Sequence, residues 1–191
     1  MRLFVALAIP SAIRENLAAF VAELRELSAR SADGRPRWVR PENLHLTLKF
    51  IGEVSATKLD GIQEALAGVR SSSPVEIDCR GLGFFPSEKR PKVFWAGLAA
   101  SANLAPLAAD VDRASSTQGV PLETRDFSPH LTLARCEPPG IAATLRAAIR
   151  ENGRRDFGSF RTNEFHLIES KLHRAGAQYT TLHSFCFAPE S

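Results

Sequence analysis

The chain reads as an α+β fold built twice over, with two antiparallel-type sheets, helices on the outside and a cleft between two related lobes. Three observations predict this. The tetrapeptide His-Leu-Thr-Leu occurs at residues 45–48 and again at 130–133, placing the two histidines 85 positions apart. Apolar runs with strand character alternate with apolar stripes at helical spacing. The order of these segments around the second tetrapeptide repeats the order around the first, so residues 1–85 and 92–187 form approximate repeats within a single domain spanning 1–191.

Arg2 to Ile9 is rich in apolar and β-branched residues and stops at Pro10, as a buried strand does. Ile13, Leu17, Phe20, Val21, Leu24 and Leu27 form one helical stripe, predicting a helix over Ser11–Ala29 that Asp33-Gly34-Arg35-Pro36 ends. Trp38 to Glu42 leads into the first motif strand, Leu44–Ile51, closed by Gly52. A helix near Thr57–Val69 and a strand near Val75–Phe85 complete the first half. The connector Pro86-Ser87-Glu88-Lys89-Arg90-Pro91 is turn-rich and charged without being a long linker. The second half predicts a strand over Lys92–Leu98, a helix carrying Leu104, Leu107 and Val111, and the motif strand Pro129–Arg135. A helix around Ile141–Ile149, a strand near Phe160–Ser170 and a last strand Tyr179–Phe187 follow.

With 191 residues, 44% hydrophobic and 24% charged, the composition excludes disorder and fibrous structure and supplies a substantial core. A net charge of +3 and a pI near 9.0 suit an anionic ligand without marking a nucleic-acid scaffold protein. Cys79, Cys136 and Cys186 stand apart from one another and from metal-ligand spacing, which fits a reducing cytoplasm and no bound metal. The apolar start after Met1-Arg2 is too short for a secretory signal, and no run approaches the roughly 18 apolar residues of a membrane span.

In an extended strand alternate side chains share a face, so each tetrapeptide shows His and Thr on one side and buries two leucines on the other. Two imidazoles facing one cleft supply a proton acceptor and a proton donor near neutral pH. Thr47 and Thr132 add hydroxyls on the same faces, and Arg135 or Lys49 adds a cation, so the set suits one tetrahedral anion. In-line displacement at phosphorus needs these two proton-transfer roles on opposite sides of the reacting atom.

The paired His-x-Thr-x motifs, the context Arg37-Trp38-Val39-Arg40-Pro41-Glu42-Asn43 before the first and Arg135 after the second resemble the two-histidine (2H) phosphoesterases. The chain is most similar to their bacterial and archaeal RNA 2′,3′-cyclic phosphodiesterases, long called 2′-5′ RNA ligases. The likeness runs from Arg2-Leu3-Phe4-Val5-Ala6 through Val93-Phe94-Trp95-Ala96-Gly97 to Glu169-Ser170 and Tyr179-Thr180. The resemblance implies metal-independent hydrolysis of 2′,3′-cyclic phosphate ends, on RNA or small nucleotides, to 2′-phosphomonoesters, with no cofactor and no obligate protein partner. It further implies that His45 protonates the departing 3′ oxygen, that His130 activates water, and that Thr47, Thr132 and Arg135 hold the non-bridging oxygens. Two alternatives stand beside it: 2′-5′ ligation by the reverse reaction, and a non-catalytic module that binds RNA ends.

Other residues receive plainer readings. Arg135 lies five positions after His130, which strict alternation puts on the wrong face, so it reaches the anion only if the strand ends or bulges. Lys49 shares the face of His45 and Thr47 and reads as a rim charge, since Ala134 replaces it in the second motif. His166, His173 and His183 read as structural or solvent-facing; Phe84, Phe85, Trp95 and Phe127 could stack on a base, though aromatic residues in strands are core in most cases. Arg35, Arg37, Arg40, Lys89, Arg90 and Lys92 are charged loop residues that could flank the cleft, and Gly81-Leu82-Gly83 reads as a bulge or bend.

Overall fold

The computed structural model describes residues 1–29, 36–136, 143–174 and 176–187. In chain order the elements are β1 (Arg2–Ala8), α1 (Ser11–Ala29), β2 (Arg37–Trp38), β3 (His45–Glu53), α2 (Leu59–Ala67), β4 (Val75–Phe85) and β5 (Val93–Ala100). They continue as α3 (Leu104–Ser116), β6 (His130–Arg135), α4 (Ala143–Asn152), β7 (Asp156–Thr162), β8 (Glu164–His173) and β9 (Gly176–Cys186). Two antiparallel sheets result, in the orders β3-β1-β8-β9 and β2-β6-β5-β4-β7. The α+β class, the two sheets and the outer helices are therefore as the patterning predicts.

Each sheet draws on both halves of the sequence. The last strand of the first half, β4, lies beside β5, while β8 from the second half lies beside β1. Helices cross over as well: α1 and α4 cover β7 and β4, whereas α2 and α3 cover β9 and β3. Setting β3-β1-β8-β9 over β6-β5-β4-β7 superposes the order of elements, with β2 as an extra edge strand. The two motif strands β3 and β6 pack next to each other where the sheets meet.

The strand expected near residues 160–170 is two strands. The chain leaves one sheet after Thr162, turns at Asn163 and enters the other at Glu164. No glycine or proline marks this corner; the Asn163 carbonyl accepts from the Phe187 N–H at 2.7 Å, which ties the corner to the end of β9. The turn at Asp33-Gly34-Arg35 and the start of the helix expected from Ile141 lie outside the described residues.

The core explains the helical stripes. Ile13, Leu17, Phe20 and Leu24 of α1 are buried, and Phe20 meets Phe157 of β7 at 5.4 Å between ring centres. Leu104, Leu107 and Val111 of α3 and Ile62 and Leu66 of α2 bury the corresponding faces. β1 has two apolar faces: Leu3, Val5 and Leu7 join the main core, whereas Phe4 and Ala6 join Ile168 and Tyr179 on the other side. Among the described residues no helix is long and apolar enough to cross a membrane.

Candidate active site

Both motifs fold alike, down to a shared irregularity. In β3 and in β6 the histidine and threonine are half-buried on the cleft side and the leucines are buried behind them. The register against β1 slips between Val5↔Lys49 and Ala6↔Thr47, leaving Leu48 as an extra residue. The register of β5 against β6 slips between Phe94↔Ala134 and Trp95↔Thr132, leaving Leu133 extra. These matched β-bulges reverse the alternation after each threonine.

The bulges decide two open positions. Arg135, exposed at the end of β6, falls on the face of His130 and Thr132 instead of the opposite one. Lys49 is turned the other way, and its reading as a rim charge is overturned: it is only 6% exposed, forms an ion pair with Asp112 of α3 and donates to the Pro121 carbonyl at 2.6 Å. Its place on the cleft face goes to Phe50, which is 59% exposed and lies 6.3 Å from Phe4.

Each imidazole is held by the same local device. His45 Nδ1 donates to the Asn43 carbonyl at 2.7 Å, and His130 Nδ1 donates to the Ser128 carbonyl at 2.8 Å. A carbonyl only accepts, so Nδ1 carries the hydrogen in both rings and Nε2 is the nitrogen that exchanges a proton. The Asn43 side chain donates to the Ala177 carbonyl at 2.8 Å, fixing the turn before His45 to the β8–β9 hairpin.

Aromatic rings wall the two histidines. Phe4 and Tyr179 lie 4.6 Å and 5.3 Å from the His45 ring, and Phe85 lies edge-on to His130 at 4.8 Å. Burial pushes His45 down to about 4, opposed by the Asn43 carbonyl and assisted by repulsion from His130. Burial also lowers His130 below its ordinary value, opposed by the Ser128 carbonyl. Burial raises the Tyr179 phenol, while the positive charges of Arg135 and Arg2 pull it back.

Thus the structure brings His45, Thr47, His130, Thr132 and Arg135 to adjoining faces of two neighbouring strands. Sequence reasoning missed Arg2, Phe4, Phe50 and Tyr179, and it did not separate two aromatics from the core. Phe84 and Phe94 are core, and Phe127 packs against it, but Phe85 and Trp95 alternate onto the cleft side, where they meet at 5.2 Å. His166 Nδ1 and Ser184 Oγ are hydrogen-bonded at 2.9 Å, and His183 lies 4.5 Å from the Phe185 ring. Among the described residues no three His, Cys, Asp or Glu side chains gather as a metal site.

A family model described as LigT-like phosphoesterase matches residues 7–95 and 98–179. An RNA 2′,3′-cyclic phosphodiesterase of Archaeoglobus fulgidus is 35% identical, over 97% of this chain and 99% of its own. One of Methanothermobacter thermautotrophicus is 33% identical, over 97% and 98%. The E. coli protein LigT, solved in complex with 3′-AMP, superposes with a TM-score of 0.76 at 28% identity, covering 97% of each chain.

Proposed function

The chain belongs to the LigT-like phosphoesterase family, and on that premise we propose that it hydrolyses terminal ribose 2′,3′-cyclic phosphates to 2′-phosphomonoesters by histidine acid–base catalysis without a metal. It is then an RNA 2′,3′-cyclic phosphodiesterase, as its relatives are named. The observation that carries the reading is the pair of Nδ1–carbonyl clamps, which leave two Nε2 atoms as proton carriers on adjoining strands.

In the proposed reaction His130 Nε2 takes a proton from water as the water oxygen bonds to phosphorus. The bond from phosphorus to the 3′ oxygen breaks, and that oxygen takes the proton of the His45 imidazolium. Thr47, Thr132 and Arg135 hold the non-bridging oxygens, whose charge grows in the transition state. RNA ends and small nucleotides are the substrates. A cytoplasmic location fits the three free thiols Cys79, Cys136 and Cys186.

The low pKa of His45 favours a second assignment, in which the roles are exchanged. A neutral His45 is the better resident acceptor in the free protein, and it becomes the donor only if the bound phosphodiester anion, lying against it, restores its proton. The product distinguishes histidine catalysis from binding. His45→Ala and His130→Ala should each lower turnover of a nucleoside 2′,3′-cyclic phosphate about 10²–10⁴-fold, and wild-type product should be the 2′-phosphate, with the rate unaffected by chelator. Wild-type turnover by either folded variant sinks the catalytic reading, and a substrate whose leaving group needs no protonation identifies the donor as the histidine whose loss it tolerates.

A further inference from the structure

The two histidines are clamped alike, but the segments that carry their clamps are held differently. Asn43, whose carbonyl holds His45, ends a single helical turn, Pro41–Asn43, and is tied by its own side chain to the β8–β9 hairpin. Ser128, whose carbonyl holds His130, comes near the end of residues 117–129, which belong to no helix or strand. A stretch of that kind has no ladder of its own hydrogen bonds, so whatever fixes it must reach it from neighbouring elements.

Two lysines from the first half of the chain do so. Lys58 donates to the Gln118 carbonyl at 3.2 Å on the surface, and the buried Lys49 donates to the Pro121 carbonyl at 2.6 Å. Lys49 also pairs with Asp112 of α3, whose carboxylate accepts the Glu123 N–H at 3.1 Å. The Glu123 carboxylate in turn accepts from the N–H groups of Thr124 and Arg125 at 3.0 Å and 3.2 Å, and from the Arg125 guanidinium at 2.7 Å and 2.9 Å. A series of polar contacts thus runs from β3 to Arg125, after which Phe127 packs against the core and Ser128 meets His130. The bulge in β3 makes this possible. Under strict alternation Lys49 would share the cleft face of Thr47, but the extra residue Leu48 turns it away from the cleft and onto Asp112. The residue that follows the bulge in β6 is Ala134, which carries no polar group, so the tie runs one way only, from the first motif to the second.

We infer that Lys49 and Asp112 are positioning residues for His130: through this buried ion pair the first motif strand sets the loop whose Ser128 carbonyl aims the second histidine. Neither residue touches substrate, and the consequence for turnover rests on the function proposed above. A charge-assisted bond from a buried ammonium to a carbonyl is strong and directional, which suits a tie that must hold a loop in one place.

The test uses the double variant Lys49→Met with Asp112→Leu, which removes both charges together and leaves neither buried and unpaired, beside Lys49→Met alone. Urea stability of the double variant should lie closer to wild type than that of the single one, which separates loss of aim from loss of fold. Imidazole nitrogen NMR at mildly alkaline pH, where both rings are neutral, reads the clamp directly. In wild type both His45 and His130 should carry the hydrogen on Nδ1; in the double variant His130 should populate the Nε2–H tautomer as well, while His45, clamped by Asn43, should not. Turnover of a nucleoside 2′,3′-cyclic phosphate by the double variant should fall about 10- to 100-fold in kcat with KM little changed, since a misaimed ring costs rate and not ground-state binding. Retention of the single His130 tautomer in the folded double variant overturns the positioning role, whatever the rate does. A changed tautomer with wild-type kcat leaves that role standing and strikes the catalytic part proposed for His130 instead.

Discussion

At the scale of single residues, the site is governed by what burial does to charge. His45 titrates at about 4 in the folded protein against 6.5 when unfolded, so the unfolded chain binds its proton first as pH falls. Stability associated with His45 is therefore fully present above about pH 6.5 and is lost as pH falls towards 4. Between pH 7 and pH 5 the loss from this one group is about 2 kcal/mol. His45→Gln should lose correspondingly less stability over that interval in urea unfolding; equal losses in the two proteins would mean that the imidazole is not desolvated. Lys49 poses the opposite problem, a buried cation answered by Asp112, which also accepts from the Glu123 N–H at 3.1 Å. Lys49→Met should cost about 3 kcal/mol by leaving Asp112 without its counter-charge. Adding Asp112→Asn should recover much of that cost, and strictly additive losses would show that the pair is not coupled.

At the scale of elements, the parts legible in the sequence were those with regular period. The helix over Ser11–Ala29 and the strand Val75–Phe85 have the bounds their patterning predicts, and His45, Thr47, His130 and Thr132 share the faces that simple alternation assigns. Legibility stopped where period did. A bulge adds one residue whose identity is unremarkable, here Leu48 and Leu133, so nothing in the sequence separates a strand that slips from one that does not. Lys49 was misread and Arg135 left open for that single reason. The aromatic walls were hidden differently: β1 is apolar on both faces, so Phe4 looks like its core neighbours Leu3 and Val5. Asn163 is a turn former, but one such residue between two strand-like runs is a weak signal, and the corner it makes is held by a hydrogen bond from the Phe187 N–H, far along the chain.

At the scale of the whole molecule, the exchange of strands and helices makes the two halves dependent on each other. Residues 1–91 contain β1 and β3 without β8 and β9, and β4 without its neighbours β5 and β7. Expressed alone, this fragment should show no cooperative unfolding transition, as should 92–191, while mixing the two should restore both ordered structure and turnover. A cooperative transition in either isolated fragment would show that the sequence repeat is a folding unit after all.

The position of β1 also bears on time. It precedes the other strands of its sheet along the chain, it occupies the interior of that sheet, and one of its two neighbours, β8, begins only at Glu164. Contacts so distant along the chain close slowly, because much loop entropy is lost before they form. Until β8 has left the ribosome, the apolar segment Leu3–Leu7 has at least one open edge, available for pairing with a neighbouring nascent chain. The arrangement that places two histidines side by side thus sets a long interval during synthesis in which an edge of β1 stays open.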